Sequence, residues 1–346
     1  MIFAALTTGL ALLFGEVGAR ALVPPALPSD VIALDADPDL IWTLGTDKTR
    51  VGDFIPNSIG LRGPEVPLRN AGRRRILTLG DSSIYGDGVT YVDVFSNALA
   101  AAQTAAGRPM DAIDGGVPGY SSEQALGLYD RIRKAVDPDI VIVGTLWSDS
   151  RDSLTTDAEE IAGIRRRTGS WGAVTNTLQS MEGNSSLVRG VRMLLDGSMG
   201  KARRVQKIGW VHAEEAGTVP EPPDATERTR VPLPAYRVNL RKLAAAARAD
   251  GALPVFLLLP HPFDDAARAL PDVQRAYREG MRAVATEAGV PLVDCEAWFK
   301  THPSMAARFW DDIHPNASGH AAIADAVSAT LHTDRALAAR IGAPSR

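Results

Sequence analysis

"ILTLGDSSIYGDGV", residues 76–89, runs from aliphatic and β-branched residues straight into a small polar cluster, Gly80-Asp81-Ser82-Ser83. The run reads as a buried strand and the cluster as the turn that ends it. On this stretch alone Ser82 has two readings: a helix N-cap behind a tight turn, or a nucleophile. The rest of the chain has to separate them.

Working outward, the pattern alternates. "RILTLG" (75–80) is the first buried strand, "VFSNALAAAQTAAG" (94–107) a helix ended by Gly107, and "MDAIDGG" (110–116) a second strand. "SSEQALGLYDRIRKAV" (121–136) is helical with Ser121 or Ser122 as cap, and "DIVIVGTLW" (139–147) is a third strand. After a break the rhythm resumes with a helix at 237–251, a strand at 252–260, a helix at 271–289, a strand at 290–295 and a final helix at 317–331. Such alternation predicts a three-layer α/β/α domain of flavodoxin-like type, with a parallel five-stranded sheet covered on both faces.

The break, residues 150–235, is charged, weakly periodic and ends in "PEPPDATERTRVPLP". It reads as a partly helical insertion that could cover a site. Residues 161–210 hold nine Arg/Lys against Glu182 and Asp196, net +7. A solvated helical face accounts for that charge, with an anion- or membrane-facing surface as the sharper reading. Upstream, 24–74 is rich in Pro, Gly and Asp and reads as a lead-in of extended loops and short strands. Residues 75–335 form the expected domain.

The N-terminus, "MIFAALTTGLALLFGEVGARALVPP", carries no charged side chain over 1–15 before Glu16 and Arg20 interrupt it. A membrane span needs ~20 apolar residues. Residues 1–23 are expected to be an uncleaved anchor with the body outside the cytoplasm, on the periplasmic side. A cleaved signal peptide, giving a secreted protein, is the rival, since Val17-Gly18-Ala19 and Ala19-Arg20-Ala21 fit a small-x-small site. A buried N-terminal helix is the plainer alternative. The formal charge of −4 argues against a general nucleic-acid binder. The single cysteine, Cys295, excludes an intrachain disulfide and reads as a packed thiol.

Ligands of an open parallel sheet bind outside the carboxyl ends of its strands. There the sequence places Ser82, "GGVPGYSS" (115–122) and "SDSRD" (148–152), while "WDDIHPNASGH" (310–320) precedes the last helix. A serine hydroxyl needs a base within hydrogen-bond reach. His314 suits that task, and Asp311, three residues upstream, can fix its tautomer. Ser83 is a fallback nucleophile. His261, in "LLLPHPFDD", ends a strand and reads as a loop histidine at the edge of the site, and His320 as a surface residue in the first turn of the last helix. Asp311, Asp312, His314 and His320 invite a metal, but the six-residue His314–His320 spacing does not match the i, i+4 pair that converges on zinc.

The order and wording of these stretches resemble the SGNH (GDSL-type) hydrolase family. "GDSSIYGDGV" is similar to its first block, "DGGVPGYSSEQ" to its second and "DDIHPNASGH" to its last, over residues 75–147 and 252–331. "NSIGLRGPE" (57–65) resembles a membrane-anchored bacterial subgroup. The resemblance implies Ser82 as nucleophile, with His314 and Asp311 completing the triad. It implies an oxyanion site from the N–H groups of Ser82 and Gly119 and a side chain of the third block, and no cofactor or metal. The sequence departs from the pattern at Asp114, where Asn is usual. In "GTLWSDS", Leu146 stands in the Gly place and Ser148 in the place of the Asn that donates to the oxyanion. The function expected is a serine esterase acting on an acyl or acetyl ester of a lipid or cell-envelope carbohydrate. The rivals are acyl transfer to an envelope glycan and a non-catalytic protein on the same scaffold.

Overall fold

The computed structural model describes residues 34–44, 56–70, 72–167, 228–264, 270–302 and 306–342. The expected anchor at 1–23 and most of the insertion lie outside the described residues. Residues 33–163 and 221–346 form one compact unit. Among the described residues no helix is long and apolar enough to cross a membrane.

A two-stranded antiparallel hairpin, β1 (Leu34–Asp37) and β2 (Ile41–Leu44), precedes the domain. The parallel sheet consists of β3 (Arg74–Gly80), β4 (Met110–Gly116), β5 (Ile140–Gly144), β6 (Leu253–Leu258) and β7 (Leu292–Asp294). Its spatial order is β4-β3-β5-β6-β7, the flavodoxin-like order, with a switch point between β3 and β5. Every residue of β3 and of β5 is buried, as expected of strands covered on both faces. Ile76, Leu77 and Leu79 are fully enclosed, each worth ~1.5–3 kcal/mol of burial.

Among the described residues the α-helices are α1 (Ser82–Tyr85), α2 (Phe95–Ala105), α3 (Ser122–Val136), α4 (Asp157–Arg167), α5 (Leu233–Ala249), α6 (Asp272–Ala288), α7 (Cys295–Lys300), α8 (Ala317–Thr333) and α9 (Arg335–Gly342). Helices α2 and α8 pack together, and α3, α5 and α6 pack as a second group. Ser121 caps α3 in a capping box with Gln124. The third strand is shorter than its apolar run implied. It stops at Gly144, and Leu146–Ser150 form a helical turn closed by the Ser150 N–H donating to the Leu146 carbonyl at 3.0 Å. The seventh strand likewise ends at Asp294, and Cys295 is the buried first residue of α7. Burial pushes that thiol's pKa well up, so it is unreactive.

What fixes the carboxyl end of the sheet is a row of glycines. Gly80 pairs with Gly116 on one side and with Gly144 on the other. A Cβ on Gly80 would stand 2.1 Å from the Gly144 carbonyl oxygen and 2.4 Å from Ile84 Cγ1. One on Gly116 would stand 2.2 Å from the Tyr85 nitrogen, and one on Gly144 2.5 Å from Ile84 Cδ1. Helix α1 therefore lies directly on backbone.

The insertion is closed at its base. The Ser153 N–H donates to the Arg228 carbonyl (2.8 Å), Arg230 N–H to Arg151 (2.9 Å), Val231 N–H to Asp149 (3.2 Å) and Asp157 N–H to Arg230 (2.8 Å). The chain thus leaves and re-enters the domain at one stitched neck.

Gly116→Ala forces a methyl into the backbone of α1, an overpacking worth ~1–3 kcal/mol or more. The urea midpoint of this variant should fall at unchanged m-value, whereas Gly342→Ala, which meets nothing within 4 Å, should leave it in place.

Candidate active site

Helix α1 starts one residue after β3. Asp81 is its N-cap and accepts the Ser83 N–H at 2.9 Å. Asp81 is fully enclosed, and burial raises its pKa against the hydrogen bond from Ser83 and the charges of His314 and Arg151. The Ser148 N–H also faces this carboxylate. Ser82, the first helical residue, is 8% exposed, and its N–H donates to no group among the described residues.

The last block brings His314 to this point. Asp311 Oδ1 accepts the N–H groups of Ile313 (2.9 Å) and His314 (2.8 Å), folding the Asp-x-x-His stretch into a tight turn. Asp311 Oδ2 lies 2.7 Å from His314 Nδ1, and His314 Nε2 lies 2.7 Å from Ser82 Oγ. Asp311 thereby fixes the ring proton on Nδ1 and leaves Nε2 as acceptor for the serine hydroxyl. Burial raises the Asp311 pKa, but the hydrogen bonds from the His314 ring and from two backbone N–H groups outweigh it, and the net shift is down. The Ser83 hydroxyl is turned elsewhere: it donates to the Ile313 carbonyl at 2.9 Å and ties α1 to the histidine turn.

Gly119 occupies the third position of a type II turn, Val117–Tyr120. Pro118 precedes it, its φ is +78°, and the Tyr120 N–H returns to the Val117 carbonyl at 3.0 Å. The Pro118 carbonyl accepts Trp42 Nε1 (3.1 Å) and the Gly119 carbonyl accepts Arg230 Nη1 (2.6 Å). Holding both carbonyls orients the peptide between them, and the Gly119 N–H points away from Trp42 and donates to no described group. The Ser148 side chain, buried at 3% exposure, makes no hydrogen bond among the described residues.

Three groups that the sequence reading did not single out hold the site. The Arg62 guanidinium donates to the carbonyls of Tyr85, Gly86 (3.0 Å) and Val89 (2.7 Å), clamping the loop behind α1. Arg230 grips Asp157 through two nitrogens (3.0 and 2.8 Å) and also donates to Gln124 (2.9 Å). Asp87 lies with Oδ2 3.9 Å from His314 Nε2. Arg62 and Asp87 sat inside the quoted stretches "NSIGLRGPE" and "GDSSIYGDGV", so position within a block was the available signal. Nothing in sequence marked Arg230.

His320 corrects an expectation. It is fully enclosed, stacked on Phe95 at 6.3 Å with its Nδ1 facing the Phe95 N–H at 3.4 Å. Burial pushes its pKa down to about 3, so it is a neutral packing residue. The reason is that the first turn of α8 is pressed inward: a Cβ on Gly319 would stand 2.3 Å from the Arg308 carbonyl oxygen. His261 is also buried, between Trp147 and Phe263. Among the described residues no group of three or more His, Cys, Asp or Glu could hold a metal.

Asp114, which opens the second block, is enclosed and its pKa is pushed up to about 7, chiefly by burial. Its Oδ1 accepts the Gly116 N–H (2.9 Å) while Oδ2 has no partner. The folded protein therefore keeps this proton between about pH 4 and 7 while the unfolded chain releases it, and stability falls as pH rises through that window. Asp114→Asn should remove one proton's worth of this slope, at most about 4 kcal/mol across the window. Denaturant unfolding at pH 5 and pH 8 reads the difference.

A family model described as the GDSL-like Lipase/Acylhydrolase family matches residues 216–322, which include the Asp311–His314 turn and not Ser82. No curated protein matches the sequence. Similar solved structures include LAE5, an alpha/beta hydrolase enzyme from the metagenome of Lake Arreo, Spain, at 16% identity and TM-score 0.46, covering 74% of this chain and 94% of that one. Axe2, an acetylxylan esterase from Geobacillus stearothermophilus, matches at 14% identity and TM-score 0.46 over 75% and 95% of the two chains. TesA matches at 15% identity and TM-score 0.45 over 76% and 99%. These structural likenesses are too low to say anything of substrate. Over residues 216–322 the chain is similar to the GDSL-like lipase/acylhydrolase family, and the blocks that resemble that family outside this stretch include the one that holds Ser82.

Proposed function

We propose that the chain is a serine esterase that cleaves an acyl or acetyl ester through an acyl-Ser82 intermediate. The observation that carries the reading is the unbroken chain from Asp311 to His314 to Ser82, with both hydrogen bonds at 2.7 Å. Ser82 Oγ attacks the ester carbonyl as His314 Nε2 takes its proton, and Asp311 holds the imidazolium that forms. The free N–H groups of Ser82 and Gly119 receive the oxyanion. A donor of this kind is worth about 3 kcal/mol in comparable enzymes. The leaving alcohol takes the proton from Nε2, and water then reverses the sequence to release the acid.

Ser148 is shorter than the Asn of the family pattern, and its hydroxyl rotates freely. The reading gives it at most a weak share of the oxyanion. The expected substrate, a lipid or cell-envelope carbohydrate ester, follows from the family resemblance and from the anchor proposed for residues 1–23.

Ser82→Ala and His314→Ala should each cut kcat on a short p-nitrophenyl ester by at least about three orders of magnitude, with Asp311→Ala costing less. A fluorophosphonate probe should label the wild type at Ser82, and wild-type turnover in Ser82→Ala would end the assignment. Ser148→Asn should raise kcat more than it lowers KM, because the added donor acts on developing charge. No gain there, with no loss in Ser148→Ala, would remove Ser148 from the site. The full chain should fractionate with membranes and a chain lacking residues 1–23 should not. Intact full-length protein in the cytosolic fraction would sink the anchor.

A further inference from the structure

His314 faces two carboxylates. Asp311 serves Nδ1, while Asp87 Oδ2 stands 3.9 Å from Nε2, the nitrogen that also meets Ser82. The Asp87 carboxylate accepts no hydrogen bond among the described residues and its side chain is 28% exposed. It therefore has spare acceptor capacity at the point where protons change hands.

Its placement is built in. The Asp87 N–H donates to the carbonyl of Ser82 itself at 3.0 Å, across the left-handed turn at Gly86. Arg62 pins the carbonyls on either side of it. Gly88, at φ +81°, lies against the indole of Trp310, where a Cβ would stand 2.9 Å from Nε1. Trp310 is the neighbour of Asp311. The loop that carries Asp87 is thus fastened to the nucleophile at one end and to the histidine turn at the other.

We propose that Asp87 is a positioning residue for the acyl acceptor, and this rests on the acyl-Ser82 reading. Once Ser82 is acylated, its Oγ no longer engages Nε2. A water about 2.8 Å from both Nε2 and Asp87 Oδ2 would subtend roughly 90° at its oxygen, close to the angle between its two O–H bonds. One hydrogen then points at Nε2 and the other at Asp87. The water oxygen attacks the acyl carbon, its first proton passes to Nε2, and the bond from the acyl carbon to Ser82 Oγ breaks. That proton moves from Nε2 to Oγ, and the second hydrogen leaves on the acid product. Asp87 takes no proton. An alcohol acceptor presents one hydrogen, to Nε2, and gains nothing from Asp87, so the residue favours water over alcohols.

Asp87 also stabilises the imidazolium. The charged and titratable groups around the ring are Asp311 and Asp87 at its two nitrogens, Asp81 beneath α1 and neutral His320 on α8. Arg62 lies behind the loop and Arg151 beside Asp81. With His314 buried and Asp87 partly exposed at 3.9 Å, the attraction is stronger than that of two solvated surface charges.

The test is stopped-flow hydrolysis of p-nitrophenyl acetate by the full chain, wild type against Asp87→Asn, Asp87→Ala and Asp87→Glu. Because p-nitrophenolate leaves without a proton, acylation is insensitive to the acceptor's orientation. The expected result for Asp87→Asn is a burst rate within a few-fold of wild type and a steady-state rate about 10- to 100-fold lower. An acetyl adduct should accumulate on Ser82, and the methanolysis-to-hydrolysis ratio should rise. Asp87→Glu should recover part of each. Fluorophosphonate labelling of the variants reports an intact site. Burst and steady-state rates that fall together, or an unchanged product ratio, would overturn the role of Asp87. Wild type that the probe does not label would overturn the acyl-Ser82 reading, and this role with it.

Discussion

Everything at the site hangs on three residues without side chains. Gly80, Gly116 and Gly144 stand in register across the three strands beside the switch point. Their hydrogens are all that separates the sheet from helix α1. A side chain in that row would lift α1 off the sheet and carry Ser82 away from the histidine turn. Close contact also encloses Asp81, which must then find its partners in backbone N–H groups. The polar cluster at the end of the first strand is thus a consequence of packing as much as of chemistry.

Around this seat the structure uses guanidinium groups to hold carbonyls. Arg62 fixes the loop after α1, and Arg230 fixes Gly119 while gripping Asp157. A planar fork with several donors can satisfy two or three acceptors at once, which an ammonium group on a flexible stem does less well. Both arginines are buried, so removing either would leave carbonyl groups or a carboxylate without partners, a cost larger than that of the bonds themselves.

The alternation of strands and helices was legible because each element carries its own period. The Asp311–His314 turn was legible because its two members are three residues apart. Arg230 was not, since its partners Gly119, Gln124 and Asp157 lie 73 to 111 positions away. Asp87 was not legible either, because nothing local says that its carboxylate meets His314, 227 positions on. The burial of His320 does have a signal in the sequence. "ASGHAAIADAVSATL" is apolar on nearly all sides, and a helix of that kind is enclosed rather than laid on a surface. The end of β5 is not legible in the sequence for a related reason: Leu146 and Trp147 are buried, and an apolar run does not distinguish a strand from a buried turn that follows it.

The stitched neck at 149–157 and 228–231 bears on the length of chain between its two sides. Closing a loop costs free energy that grows only with the logarithm of its length, about 0.6 kcal/mol per doubling. With departure and return bonded to each other, the sheet and the serine–histidine pair are indifferent to how much chain hangs between. A change in the length of chain between the two sides of the neck therefore falls on loop entropy alone, and the strands that carry Ser82 and the bonds that hold Gly119 keep their register.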